Sequence, residues 1–335
     1  MAKLSPKSIQ ISLHLPTLLP QRFFQRIKTF ASWVHRKKAS FDIDLTAAIE
    51  FLQAPNPDGR PNSNVVRPWA NALEITRRPV GKWIIDFGND MSELKAAQFE
   101  EPFEYCKRIV KPERDGRREA RIAEFWWRFG RPRVEMRQAL QGLVRFIATP
   151  TVSKHRIFVW LPTVLVPDQQ LLAYPWSDDY FFGILHSYAH EVWARSQGTQ
   201  VRERESGFRY TPTSCFETFP FPTSNESQKA TIAEAAKELD SLRNNWLNPP
   251  EWTRQEVLEF PGSVVGPWSR FVHDPESRGI GTVRYPRLVA KDEETARKLQ
   301  KRTLTNLYNE RPPGSTWPTK SSTPPSSPPT GGILK

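Results

Sequence analysis

The stretch Phe181-Phe182-Gly183-Ile184-Leu185-His186-Ser187-Tyr188-Ala189-His190-Glu191-Val192-Trp193-Ala194 places apolar residues at helical spacing. It predicts a helix over residues 180–196. Upstream, residues 145–149, 156–166 and 171–174 are rich in β-branched and aromatic side chains and read as strands. Downstream, Arg209-Tyr210-Thr211-Pro212-Thr213-Ser214-Cys215-Phe216-Glu217-Thr218-Phe219-Pro220-Phe221-Pro222 closes the unit with turn formers and aromatics. Grouped strands followed by helices predict an α+β fold: a mixed α/β domain over 40–223, then a small, mainly helical C-terminal domain over 224–311.

Working outward, Ile43, Leu45, Ala48, Ile49 and Leu52 recur at three and four, so 43–53 predicts a short helix. Residues 56–64 are a dense turn signal. Val65-Val66 and residues 83–87 read as strands. Ser92 can cap a helix running from Leu94 to Phe103. A second helix is expected over 117–129, with Phe125, Trp126 and Phe129 as a core stripe. Past Pro222, residues 226–247 predict a strong helix and 248–290 read as turn-rich. Residues 292–310 predict another helix, with Leu299, Leu304 and Leu307 inward. Residues 1–39 show little periodicity. The last 25 residues hold 19 Pro, Ser, Thr or Gly and are expected to be a disordered tail over 312–335.

With 335 residues, 12 Trp and 20 Phe, the chain can bury a real core. Its formal charge of +12 favours a polyanionic partner. Residues 105–160 carry 14 Lys or Arg against 5 acids. That excess fits either a phosphate-contacting surface or a solvated, salt-bridged face. Two cysteines, Cys106 and Cys215, supply neither a disulfide framework nor a zinc site, and cytoplasmic thiols are the default. No apolar run is long enough to span a bilayer, and the N-terminus does not read as a signal peptide. The expected setting is cytoplasmic, with no membrane partner.

Reading duplex DNA requires cations for phosphates and a few side chains that touch base edges. Three stretches could supply them: residues 60–69 with Arg77-Arg78 nearby, residues 145–156, and residues 200–210. From these, Arg67, Arg145, Lys154, Arg156, Arg202, Arg204 and Arg209 are the expected DNA-binding cations, with Asn64 and Glu203 as base readers. The third stretch alternates signs through Arg202-Glu203-Arg204-Glu205, and such glutamates could accept from cytosine N4. The same pattern fits a solvated hairpin with cross-strand ion pairs.

The blocks "PNPDGRPNSNVVRPW", "RFIATPTVSKHRIFVW", "FFGILHSYAHEVWA", "LEFPGSVVGPWSRFVHDPESRGIGTVRYPRLV" and "KRTLTNLYNERP" together resemble the MmeI-like class I S-adenosylmethionine-dependent DNA methyltransferases of type II restriction-modification systems. The resemblance runs from about Phe41 to Arg311. It implies the target-recognition and C-terminal regions of an adenine-N6 methyltransferase, with double-stranded DNA as partner. It also implies a catalytic domain or subunit that uses S-adenosylmethionine. Two further readings stay open: a stand-alone specificity subunit and a non-functional gene fragment. The family pattern stops abruptly at both ends, which suggests out-of-frame readings over 1–39 and beyond 311.

The catalytic parts of that family are not found among these residues. A Gly-rich loop between strand and helix is needed for the cofactor, and Gly279-Ile280-Gly281 lacks that setting. Asn248-Pro249-Pro250-Glu251 mimics the catalytic tetrad, but Glu251 cannot stack on a flipped base, so the motif reads as a helix terminator and turn. His186 and His190 share a helix face yet lack a third ligand, and read as structural. Glu293 and Glu294 read as helix-surface acids rather than as part of a nuclease core. No catalytic residue, no metal site and no resident cofactor are expected in this chain.

Overall fold

The computed structural model describes residues 32–33 (backbone), 39–116, 119–131, 133–201 and 207–310. The expectations for 1–31 and for the tail lie outside them. The fold is α+β, with helices set around several small sheets.

At its centre is a four-stranded antiparallel sheet with spatial order 32–33, 171–174, 145–150, 159–162. Alternate residues on its strands serve two different cores. Phe146, Ala148, Leu171 and Ala173 face one cluster with Ile75, Met136, Leu304, Leu307 and Tyr308. Ile147, Leu172 and Tyr174 face another, with Phe158, Phe182, Phe216 and Ala236. Because both faces are covered, Phe146 to Pro150 are all buried and read as a continuous apolar run.

The expected helix over 180–196 is two helices, Asp179–His186 and Tyr188–Gln197. Ser187 leaves the helical backbone (ψ 150°), and its side chain accepts from the backbone N–H of His190 at 3.2 Å. A hydroxyl that can cap a new helix competes with continuing the old one. The first of the pair lies against Glu226–Leu247. There Gly183 lets the backbones approach, since a Cβ at 183 would fall 2.7 Å from Ile232 Cγ2.

A second four-stranded sheet, ordered 42–43, 83–85, 66–70, 166–167, builds the first core with Phe41, Phe51, Phe99, Phe103, Trp126 and Trp127. Ser92 does cap a helix, but only Glu93–Ala96, and a new one runs Glu100–Arg114. Pro102 sits in its first turn, where a missing N–H costs nothing. The expected helix over 117–129 shrinks to Ala120–Glu124. Trp126 Nε1 donates to Glu93 and Trp127 Nε1 to the Met91 carbonyl, and these tertiary bonds hold the aromatics in a turn instead. The stripe is core: Trp126 and Phe129 are buried and Phe125 packs against them. The expected strand over 156–166 breaks after Pro162, and Arg67 donates to the freed carbonyls of Thr163 and Val164, both at 2.8 Å.

The turn-rich reading of 248–290 is corrected. Thr253–Ser263 and Ile280–Ala290 form an 11-residue antiparallel hairpin, registered from Thr253↔Ala290 to Ser263↔Ile280. Phe260, Trp268 and Val283 from this region are buried in the first core beside Phe41 and Trp83. The C-terminal helices are Glu226–Leu247, Glu293–Leu299 and Leu304–Asn309, with Leu299, Leu304 and Leu307 buried as expected. Residues after 223 therefore complete all three cores. No helix among the described residues is long and apolar enough to cross a membrane.

Candidate nucleic-acid interface

The second and third candidate stretches meet in one small sheet. Phe208–Arg209 pairs with Thr199–Gln200 on one side and with Val152–Ser153 on the other. Alternation puts Phe208 and Ser153 toward the core and Arg209 on the solvent side, opposite Val152 and Thr199. Lys154 follows directly and is exposed. Gly198 makes this geometry possible: a Cβ there would lie 2.1 Å from the Phe208 ring and 2.8 Å from the Arg209 carbonyl. Arg202, Glu203 and Arg204 fall outside the described residues, but Val201 N–H donating to the Gly207 carbonyl (2.8 Å) closes the loop that contains them. Arg195 and His155 add to the face. Arg195 is held by Glu191 at 2.9 Å, and the His155 ring is hydrogen-bonded to Asn309 Oδ1 at 2.8 Å. His155 is held below its ordinary pKa, first by partial burial, and Lys154 and Arg195 push in the same direction.

Arg156 supports this face from below. It is buried, and its Nη2 donates to Thr149 Oγ1 (2.7 Å), to Ser153 Oγ (3.3 Å) and to the Pro150 carbonyl. Its guanidinium lies 4.8 Å from the Tyr210 ring. Burial pushes its pKa down to about 10. The next layer is His190, whose Nδ1 donates to the Leu185 carbonyl at 2.9 Å. That tautomer leaves Nε2 to accept from the Tyr210 hydroxyl at 3.0 Å. Burial holds His190 at about 4, so the ring is neutral near pH 7. Both His190 nitrogens are thus committed to protein partners. His186 likewise lies 2.9 Å from the Phe158 carbonyl and 3.1 Å from Arg243 Nη1. No group of three or more His, Cys, Asp or Glu among the described residues could hold a metal ion.

The other expected contacts are placed differently. Arg67 lies in the second sheet beside Asp86, which also takes both Nη groups of Arg137 at 2.8 Å. Burial pushes the Arg67 pKa down to about 10, with Asp86 opposing the fall. Arg145 is half-buried, 3.9 Å over the Trp160 ring, and donates to Asp179 at 2.8 Å. Asn64 is half-buried against the hairpin; its Oδ1 is enclosed with no hydrogen-bond partner, and a Cβ at Gly266 would come within 2.6 Å of it. Much of the positive charge of 105–160 is likewise internal. Arg114 is fully buried and donates to the Phe125 and Trp126 carbonyls, and Arg128 donates to those of Asn89 and Met91.

Neither suspect catalytic motif forms a cofactor or base cradle. Gly279, at φ +72°, turns the hairpin into its second strand and no helix follows. Gly281 packs so tightly that a Cβ would lie 2.3 Å from the His273 carbonyl. Asn248 caps the end of Glu226–Leu247, and the Pro249 carbonyl accepts from Trp252 and Thr253 in the turn that follows.

The fold is α+β, with a central sheet covered on both faces. No family model and no curated protein matches the chain. Among solved structures it is similar to the type IIL restriction-modification enzyme MmeI, determined in complex with DNA. The two share 20% sequence identity and a TM-score of 0.51 over 65% of this chain. The match spans 28% of the length of that enzyme. At this identity the likeness speaks for the fold.

Nothing in the sequence pattern assigned a binding role to Arg297, Lys301 or Arg302. The cations Arg297, Lys298, Lys301 and Arg302, clustered after the acids Asp292, Glu293 and Glu294, were the available signal.

Proposed function

We propose that this chain reads duplex DNA, as the recognition portion of a site-specific adenine-N6 methyltransferase of a restriction-modification system. The observation that supports this most is the small sheet at 152–153, 199–200 and 208–209, which joins two separate basic stretches into one exposed face. The fold likeness to an enzyme solved with DNA points the same way. In this reading Lys154 and Arg209, with Arg202 and Arg204 on the closed loop, neutralise phosphates. Glu203 would accept from a base edge, with Asn64 as a second base reader. Arg156 acts one layer deeper, holding the 149–153 backbone beside Lys154, while Arg67 and Arg145 tie down Thr163, Val164, Ser177 and Asp179 elsewhere in the fold. Methyl transfer from S-adenosylmethionine would belong to a catalytic domain or partner chain.

The test is a salt titration of binding to a mixed-sequence duplex. The expected result is an affinity that falls steeply with salt, with a slope smaller by about one in Lys154→Ala. Absence of binding, or binding indifferent to salt, would sink the reading.

A further inference from the structure

Arg302 differs from the buried arginines. Its guanidinium lies over two indoles, 4.6 Å from the Trp246 ring and 4.9 Å from Trp252. Among the described residues, no hydrogen bond or ion pair engages it. The two rings approach its guanidinium while its donors stay available. It borders a hollow of about 380 Å³ lined by Trp252, Glu294, Arg297, Lys298, Lys301 and Arg302. Four of those six are cations, and the single acid, Glu294, is taken by Lys298 at 2.7 Å. Arg297 and Lys301 are exposed, with no ion-pair partner among the described residues. Arg302 also lines a neighbouring cleft of about 720 Å³ that contains Arg77 and Arg78.

The simplest alternative is complementing the C-terminal end of Glu293–Leu299, since Arg297 and Lys298 sit in its last turn. That accounts for neither Lys301 and Arg302, which lie past the helix, nor the two indole contacts. We propose that this hollow is a phosphate-binding site for a nucleic-acid backbone, distinct from the Lys154–Arg209 face and engaged by the same duplex. A guanidinium packed on two indoles, with its donors unspent, beside two unpaired cations suits bidentate phosphate contact. Placement supports a shared ligand. The helix Leu304–Asn309 starts just after Arg302, and Asn309 contacts His155, next to Lys154. Six helical residues rise roughly 9 Å, the length of only a few nucleotides at a rise of about 3.4 Å each.

The proposal rests on the DNA-binding reading, and one experiment separates the two. Wild type, Lys154→Ala, the double variant Arg297→Ala/Lys301→Ala, and Arg302→Lys are titrated with salt against a 30-bp duplex of mixed sequence, with thermal melts of each. The double variant alters exposed side chains and is expected to melt like wild type. Its salt slope should fall by about 1.8, at roughly 0.9 per lost phosphate contact. Arg302→Lys keeps the charge but loses the fork, so it should bind several-fold more weakly at nearly the wild-type slope. An unchanged slope in the double variant, with Lys154→Ala lowered by about one, overturns this site and leaves the proposed function standing. A wild type that does not bind the duplex overturns both.

Discussion

Arg156 and Arg302 both lie against aromatic rings, with guanidinium-to-ring distances of 4.8 Å to Tyr210 and 4.9 Å to Trp252. Their surroundings part from there. Arg156 is enclosed and gives its hydrogen bonds to the 149–153 turn. Arg302 lies against two indoles, and its guanidinium gives no hydrogen bond to any described residue. The first region spends positive charge on shape, and the second stores it for an anion. Charge counts alone cannot tell these apart. The basic excess of 105–160 includes Arg114, Arg128, Arg137, Arg145 and Arg156, all engaged with internal carbonyls, hydroxyls or carboxylates.

The contrast breaks most readily at the inner arginines. Asp86→Asn should cost the most, about 3–5 kcal/mol, because it strands Arg67 and Arg137 beside a neutral amide. Urea denaturation would measure it; a loss under 1 kcal/mol would mean that water already compensates both cations. Arg156→Met should cost about 2–3 kcal/mol, through acceptors of the 149–153 turn left unmade. The same denaturation curves report it, and unchanged stability would place Arg156 with Arg302 as a stored charge.

His190 sharpens the same region by pH. Its folded pKa of about 4 lies below the unfolded value near 6.5, so the unfolded chain binds the proton first as pH falls. Its stability contribution is complete above pH 6.5 and is lost between about 6.5 and 4. The loss is of the order of 3 kcal/mol, at roughly 1.4 kcal/mol per pH unit. His190→Gln should flatten that part of the pH–stability curve, and an equally steep curve would assign the dependence elsewhere. The smallest stability effect belongs to Lys154→Ala, expected within about 0.5 kcal/mol of wild type in the same denaturation assay. A larger loss would mean that Lys154, too, is a packing residue.

Particular elements show how far the sequence could be read. The strands at 145–150 and 171–174 and the helix at 226–247 were legible, because apolar periodicity and capping residues are local. The helix at 45–53 was legible for the same reason, with Asp44 accepting from Ala47 N–H at its start. The hairpin 253–263/280–290 was not. Its strands are interrupted by Pro261, Gly262, Gly281 and Pro286, and Val257 and Leu288 are apolar yet exposed, so no clean apolar alternation marks them. Of the interface, Lys154 and Arg209 were legible as exposed cations. The roles of Arg67 and Arg156 were not, since they depend on Val164, Asp86 and the folded 149–153 turn.

The sequence by itself determined the α+β class, most element positions, the basic character and the stretches from which a DNA-reading face could be drawn. Backbone propensity, side-chain periodicity and charge are properties of neighbours in the chain, so they survive without a fold. Tertiary structure alone decided which arginines are inside, that 152–153 and 208–209 share a sheet, and that two indoles lie against Arg302. Each of those depends on groups brought together from distant parts of the chain. A guanidinium's availability is set by whether folding supplies carbonyls and carboxylates within hydrogen-bond reach, which no local pattern encodes.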